Sequence, residues 1–381
     1  MNYKKFRKSD VFTISAAHML HDTYSAFLAP LLPLLIEKLG MSLSTSALLE
    51  IARRIPTLFN PFFGLLAEKT EVKYFVIFTP AITAIAMSLI GLASSYTILF
   101  ILLFVSGISS ALFHVPSPVM VKEASGNRIG TGMSWFMVGG ESARTIGPLL
   151  VTAAVSLWGL EGIYKLMPLG LVASFILYLK LKDFDFDRPV SKAKEKGDTR
   201  KLLKRYTPFF TVLASYLFFQ AGMKSALTLY LPVYLISQGE SLWHAGFSLS
   251  ILQFFGVLGA FFAGNLSDRI GRKNTLVITS IGSALCMGLF IHFGSIYILA
   301  FLGLFLLSSG PVLMASVQDT NTHMPTFMNS IYMTISFSIT SLVVFAVGLS
   351  GDNFGLETTY IICNVFAIGS IPFAFLLRKF L

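Results

Sequence analysis

Long apolar runs separated by short polar turns make up most of the chain. About twenty residues is the length a helix needs to cross the hydrocarbon of a bilayer. Runs of that kind can be marked twelve times, at 11–36, 43–66, 73–93, 96–121, 129–156, 162–181, 207–236, 242–266, 273–292, 295–318, 325–350 and 357–378. The pattern therefore predicts an all-α polytopic membrane protein. A polar stretch carrying Asp183, Asp185, Asp187, Lys192, Lys194, Lys196 and the basic residues from Arg200 to Arg205 falls between the sixth and seventh runs. It divides the chain into an N-terminal bundle at 1–182, a cytoplasmic linker at 183–206 and a C-terminal bundle at 207–381.

Composition points the same way. Apolar residues make up 54% and charged residues 13%, and the mean hydropathy is +0.73, values outside the range of a soluble domain. The net charge of +10 would suit a nucleic-acid partner were it clustered, but its placement argues otherwise. Of the 29 Lys and Arg, Lys38 and Lys165 fall outside and Arg53, Arg54, Arg144 and Lys224 fall within the spans. The other 23 lie on one side, which marks that side as the cytoplasm, with both termini in it. Nucleic acid is therefore not expected as a partner, and membrane lipids are. The basic start from Lys4 to Lys8 leads into an apolar run too long for a signal peptide and without a small-residue cleavage site. Cys286 and Cys363 sit inside predicted spans, far apart in sequence, and indicate neither a disulfide framework nor a metal knuckle.

The stretch Gly264-Asn-Leu-Ser-Asp268-Arg269-Ile-Gly271-Arg272-Lys273 lies between the eighth and ninth spans. Two hundred positions earlier, between the second and third, stands a worn copy with Gly64, Glu68 and Lys73. A repeat at that distance implies two homologous halves. The pattern resembles the signature loop of major facilitator superfamily transporters. That resemblance implies twelve transmembrane helices in two pseudo-symmetric six-helix bundles, with a substrate cavity between them at the bilayer midplane. Physically, the glycines let helix ends approach and turn, Asp268 is placed to cap a neighbouring helix, and Arg269, Arg272 and Lys273 hold the loop on the cytoplasmic side. Gly64, Glu68, Gly264, Asp268, Arg269, Gly271, Arg272 and Lys273 are thus candidate gating residues.

Charged residues inside spans are costly unless they face a cavity or a partner. In the first span His18, His21 and Asp22 are spaced i, i+3 and i+4, on one face of a helix. The second span holds Glu50, Arg53 and Arg54 about midway across. Adjacent arginines diverge by roughly 100° on a helix, so Glu50 is expected to pair with one and the other to reach the cavity or the carboxylate of the first span. The fourth span carries His114, and the fifth carries Glu141 and Arg144 followed by Gly147 and Pro148. The runs Ala-His18-Met-Leu-His21-Asp22, Gly107-Ile-Ser-Ser-Ala-Leu-Phe113-His114-Val-Pro116 and Val-Gly139-Gly140 resemble motifs of the fosmidomycin-resistance branch of the superfamily. The Gly147-Pro148 end resembles the antiporter motif of drug-proton exchangers. His21 stands where that branch has Asn, the proline after His114 is displaced by one residue, and the charges of the second span have no counterpart in it. The branch resemblance implies proton coupling through Asp22, with Glu141, His18, His21 and His114 as further candidates. A purely structural role for these groups, as hydrogen-bonding anchors or self-neutralising pairs, is the alternative reading.

The second half is poorer in charge. Tyr216, Gln220 and Lys224 follow one face of the seventh span, Tyr230 and Tyr234 lie near its outer end, and Gln253 sits midway along the eighth. With Arg53, Arg54 and Arg144, the residues Gln220, Lys224, Tyr230 and Gln253 are candidates for meeting substrate. Met314, Asp319, His323 and Met324 lack a convincing ligand spacing, so neither a metal nor a cofactor is expected. The sequence holds neither a phosphate-binding Walker loop nor a dinucleotide fingerprint, and a non-enzymatic carrier driven by a gradient is the expectation. Its expected function is proton-coupled export of a small amphipathic or anionic compound across the plasma (inner) membrane, by alternating access, as a monomer. An uptake carrier or uniporter for an organic anion, and a lipid or lysolipid flippase, are the alternatives.

Overall fold

Prolines decide where the predicted spans break. The computed structural model of the chain describes residues 6–60, 72–184, 199–320 and 325–377. Among them every segment of regular structure is helical. The first span is two helices, α1 (Lys8–Ser25) and α2 (Leu28–Leu39). Pro30 lacks the N–H that would bond to the Ala26 carbonyl, and its ring crowds that carbonyl, so the helix is interrupted there. In the second span α3 (Leu43–Arg54) passes into a 3₁₀ turn at Ile55–Phe59 holding Pro56. Next come α4 (Val72–Leu89), then α5 (Tyr96–His114) and α6 (Ser117–Ser125), separated at Val115 and Pro116. α7 (Ile129–Trp158) runs through Pro148 without ending. A 3₁₀ turn at Glu161–Leu166 leads into α8 (Met167–Leu181).

The remaining elements repeat this behaviour. α9 (Thr199–Leu229) and α10 (Leu231–Ser237) part at Tyr230, just before Pro232. The helix thus begins eight residues before the predicted start of the seventh span, and the end of the predicted linker is helical. α11 (Leu242–Ile270) and α12 (Arg272–Phe293) are joined by a single residue, Gly271, with φ of 88°. α13 (Ile296–Leu307) and α14 (Ser309–Gln318) are followed by α15 (Pro325–Ile368) and α16 (Ser370–Leu377). α15 is two helices joined at Gly355, where φ of 77° and ψ of 161° are barred to residues with a Cβ. Eight helical stretches among the described residues are long and apolar enough to cross a membrane.

The chain forms two compact units. The first takes Met1–Met41, Leu48–Val190 and Glu240–Ser250, and the second takes Ser42–Ala47, Ser191–Gly239 and Ile251–Leu381. In the first unit α1 packs most extensively against α7; in the second α9 packs most extensively against α15. α1 and α7 are the first and fifth spans of the first half, whereas α15 carries parts of both the eleventh and twelfth spans, the latter touching α9 through Tyr360 and Phe366. The core of the first unit joins Val11, Ile14 and Ala17 of α1 to Val76, Phe113, Val121, Phe136 and Leu181. That apolar layer fixes α1, α5 and α7 around the polar residues described next.

Candidate functional site

Three histidines converge on one carboxylate. The i, i+3, i+4 spacing sets His18, His21 and Asp22 on one face of α1, and α5 brings His114 to the same place. Asp22 Oδ2 lies 3.3 Å from His18 Nε2, and its Oδ1 lies 3.1 Å from His21 Nδ1 and 3.3 Å from His114 Nε2. Close approach of α7 makes this possible. A Cβ at Gly140 would come within 2.3 Å of the His18 ring, and one at Gly139 within 2.4 Å of the Ser15 carbonyl oxygen. Seven residues on, Gly147 faces Thr23 and Ala26 of α1 in the same way, and Pro148 beside it is buried. The rings are wedged by aromatics: His18 stacks on Phe136 at 4.0 Å and His21 on Phe113 at 4.6 Å between centroids.

The far nitrogen of each ring is also engaged. His18 Nδ1 lies 2.8 Å from the Phe136 carbonyl oxygen and His114 Nδ1 lies 2.9 Å from that of Ser110. His21 Nε2 lies 3.0 Å from Thr83 Oγ1, whose hydroxyl donates to Ser109 Oγ, which in turn donates to the Thr79 carbonyl. Thr83 and the Phe136 carbonyl were not legible in advance. Ser109 and Ser110 stand in the quoted fourth-span run, but nothing in it singles them out.

The second charged group is tighter than its sequence suggested. Arg53 donates to both oxygens of Glu50, at 3.0 Å and 2.9 Å, and Arg54 Nε donates to Glu50 Oε1 as well. The expectation that Glu50 takes one arginine is corrected: the carboxylate holds both. The 100° divergence of the Cα–Cβ bonds is overcome by the length of the side chains, which curl back toward the preceding turn. Glu50 is buried, whereas 44% of the Arg54 side chain is exposed against 19% for Arg53. One carboxylate serving two guanidiniums leaves one positive charge over. On α7, Arg144 pairs with Glu141 at 3.3 Å, both accessible.

In the second unit, buried Gln220 donates to Ser280 and Ser370, and Tyr216 shares Ser280. Lys224 is exposed and Gln253 half-buried on their helices. Tyr230 is buried, and its hydroxyl donates to the carbonyl of Leu43 at 2.9 Å, within the same unit. The signature stretch is less of a loop than expected. Gly264, Asp268 and exposed Arg269 lie in α11, and only Gly271 leaves the helix. Among the described residues Asp268 caps no helix; it accepts from Arg272 one turn on, and Arg272 also donates to Ser267 and, at 2.9 Å, to Asp319. Lys273 sits 5.0 Å above the Phe375 ring. Gly64 and Glu68 lie outside the described residues.

Among the described residues, His18, Asp22 and His114 form the one group of three His, Cys, Asp or Glu whose ligand-type atoms lie within 4.8 Å of each other. A proton suffices to satisfy that geometry, and no metal is assigned to it.

Comparison with known proteins gives a consistent picture. The family model described as Major Facilitator Superfamily matches residues 14–344. The fosmidomycin resistance protein of Escherichia coli K12 is 22% identical over 361 residues, covering 92% of this chain and 88% of that protein. The multidrug resistance protein MdtG of Citrobacter koseri is 25% identical over 270 residues, 68% of this chain and 66% of the relative. Among solved structures, a bacterial homolog of the human lysosomal transporter Spinster, in an inward-facing and occupied conformation, superposes with a TM-score of 0.80 at 13% identity. It covers 99% of this chain and 98% of its own. At that identity the likeness speaks for the fold alone.

Proposed function

The chain belongs to the major facilitator superfamily, and on that premise we propose that it is a proton-coupled secondary transporter exporting a small anionic or amphipathic compound by alternating access. Its substrate is a small molecule, and it is a carrier rather than an enzyme. The observation that carries the coupling is the convergence of His18, His21 and His114 on Asp22. Ionisable groups gathered inside a membrane-spanning bundle pair with one another and mark proton relays. Efflux-type relatives, among them a fosmidomycin resistance protein, support export as the direction. The Glu50, Arg53 and Arg54 group supports an anionic or zwitterionic substrate, since its surplus charge calls for a counter-ion. Arg144 is a second anion contact, with Glu141 as its resting partner. From the second unit, Lys224, Gln253 and the tyrosine and glutamine nearby, Tyr230 and Gln220, are proposed to frame the substrate. Gly147 and Pro148 shape α7, and the stretch Gly264 to Lys273 serves the cytoplasmic gate. Placement of the basic residues supports a plasma-membrane location with both termini in the cytoplasm.

A second reading, an uptake carrier or uniporter for an organic anion, is favoured by that same surplus charge, which is indifferent to direction. Purified carrier in proteoliposomes with an imposed pH gradient separates the two. Fosmidomycin, a panel of organic anions and a panel of cationic drugs would be offered. Export predicts substrate flux against the proton flux, abolished when the gradient is collapsed. Flux of anions that ignores the pH gradient would sink the proton-coupled reading.

A further inference from the structure

Neither a carbonyl oxygen nor a hydroxyl oxygen whose proton is already directed elsewhere can donate, and this fixes the tautomers of the three histidines. The Phe136 carbonyl takes the proton of His18 Nδ1, and the Ser110 carbonyl takes that of His114 Nδ1. Ser109 donates to the Thr79 carbonyl, so it must accept from Thr83, and Thr83 must accept from His21 Nε2. Each ring, when neutral, therefore turns a lone pair toward Asp22. An ionised Asp22 facing three neutral rings would be lone pair against lone pair at 3.1–3.3 Å, which is repulsive. That repulsion favours uptake of a proton by the cluster.

The position of that proton follows from access and from hydrogen bonding. His21 is completely buried, and its outer nitrogen is committed to a closed chain of hydroxyls. His18 is 7% exposed at the side chain and wedged on Phe136. His114 has 38% of its side chain accessible, which gives it a route for exchange. An added proton on His114 Nε2 donates to Asp22 Oδ1, while Nδ1–H strengthens its bond to the Ser110 carbonyl as the ring becomes charged. A proton on the carboxyl would likewise satisfy one ring, but through a neutral hydrogen bond in place of the charge-assisted one. The charged groups facing this pair are His18 and His21 of α1, Arg53 of α3, and Arg144 of α7 with its partner Glu141.

We propose that the exchangeable proton is carried by the imidazole of His114, with Asp22 as its permanent counter-charge and with His18, His21, Thr83 and Ser109 as positioning residues that hold the lone pairs inward. Loading adds one proton from water to His114 Nε2, and release returns it to water; no other bond changes. This rests on the proton-coupled reading of the site and names the group that titrates within it.

The test reads protonation directly, without transport. Carrier labelled with ¹⁵N-histidine and ¹³C-aspartate, purified into lipid nanodiscs, would be titrated by NMR. Of its six histidines, His114 should pass from the Nδ1–H neutral form to imidazolium. Across the same range His18 should stay Nδ1–H, His21 should stay Nε2–H, and the Asp22 carboxyl shift should remain that of a carboxylate. The imidazolium signal should vanish in His114→Gln. If that variant does not fold, contact with Ser110 identifies the ring in the unaltered chain. Thr83→Val should release His21 to populate its other tautomer and lower the proton affinity of the site about tenfold, one pH unit. A loss of packing alone would leave the tautomer unchanged. An Asp22 shift moving to that of a carboxylic acid, or an imidazolium signal mapping to His18 or His21, overturns the proposal. Flux insensitive to a pH gradient alongside the expected titration would sink the transport reading and leave this assignment standing.

Discussion

His114 Nε2 lies 3.3 Å from Asp22 Oδ1, joining α5 to α1 inside the first unit. The contact links a fully engaged carboxylate to a histidine with an accessible edge. Removing the charge of Asp22 while keeping its shape isolates its part in coupling. Asp22→Asn should abolish pH-gradient-driven transport but leave substrate counterflow measurable, because the amide hydrogen-bonds yet neither titrates nor balances an imidazolium. Proteoliposome flux with and without a gradient measures both. Undiminished driven transport would remove Asp22 from the mechanism.

The geometry of that cluster depends on α7 having no side chain where it meets His18. Gly140→Ala adds a Cβ only 2.3 Å from His18 Cε1 and 2.5 Å from Nε2. Either the helices separate or the ring leaves its bond to Phe136. Overpacking of this kind costs about 1–3 kcal/mol, so a lower thermal midpoint in detergent is expected together with loss of coupling. An unchanged midpoint would mean that α1 and α7 are less closely apposed than described.

Much of this was legible from the chain. Apolar run length located most of the helices among the described residues, though several runs are split and one helix begins eight residues early, and helical spacing alone put His18, His21 and Asp22 on one face. The repeat at Gly64 and Gly264 suggested two halves; the two compact units have other bounds, exchanging 42–47 and 240–250. What the sequence did not convey were relations between distant positions. Nothing in a one-dimensional pattern pairs Thr83 with His21 across 62 residues, or Phe136 with His18, because a hydroxyl or a carbonyl carries no signature of its partner. The shared carboxylate of the α3 arginines is hidden for a related reason: their side chains are long enough to bend past the divergence of the backbone. Asp268 was expected to cap a helix, but α11 continues through it, and the residue four positions on offers a charge instead.

Arg272 ties the end of α11 to the end of α14 through Asp268 and Asp319. Accessible ion pairs of this type contribute about 0–1 kcal/mol each, so Arg272→Gln should leave the fold and thermal midpoint nearly unchanged. Its effect should be local. Spin labels at Arg269 and Thr320 should report a broader distance distribution in the variant, and the outward and inward populations should shift with it. An unchanged distribution would exclude the bridge as part of the gate.

The arginines of α3 separate structure from function most cleanly, because they share one carboxylate but not one environment. Arg53 makes two bonds to Glu50 and is mostly covered; Arg54 makes one and is nearly half accessible. Replacing Arg53 by Gln removes two of the three hydrogen bonds that buried Glu50 accepts and leaves accessible Arg54 as its remaining partner; hydrogen bonds to charged groups are worth about 1.5–3 kcal/mol each. Folded yield should fall sharply. Arg54→Gln leaves the bidentate Arg53–Glu50 pair intact and removes the surplus positive charge. That variant should fold with a near-normal thermal midpoint yet bind anionic substrates more weakly, with cationic compounds unaffected or better tolerated. Size-exclusion yield and equilibrium binding of each compound class, measured on both variants, decide between the outcomes. Equal and mild effects from both substitutions would make the group structural, and the anion-binding assignment of α3 would then be wrong.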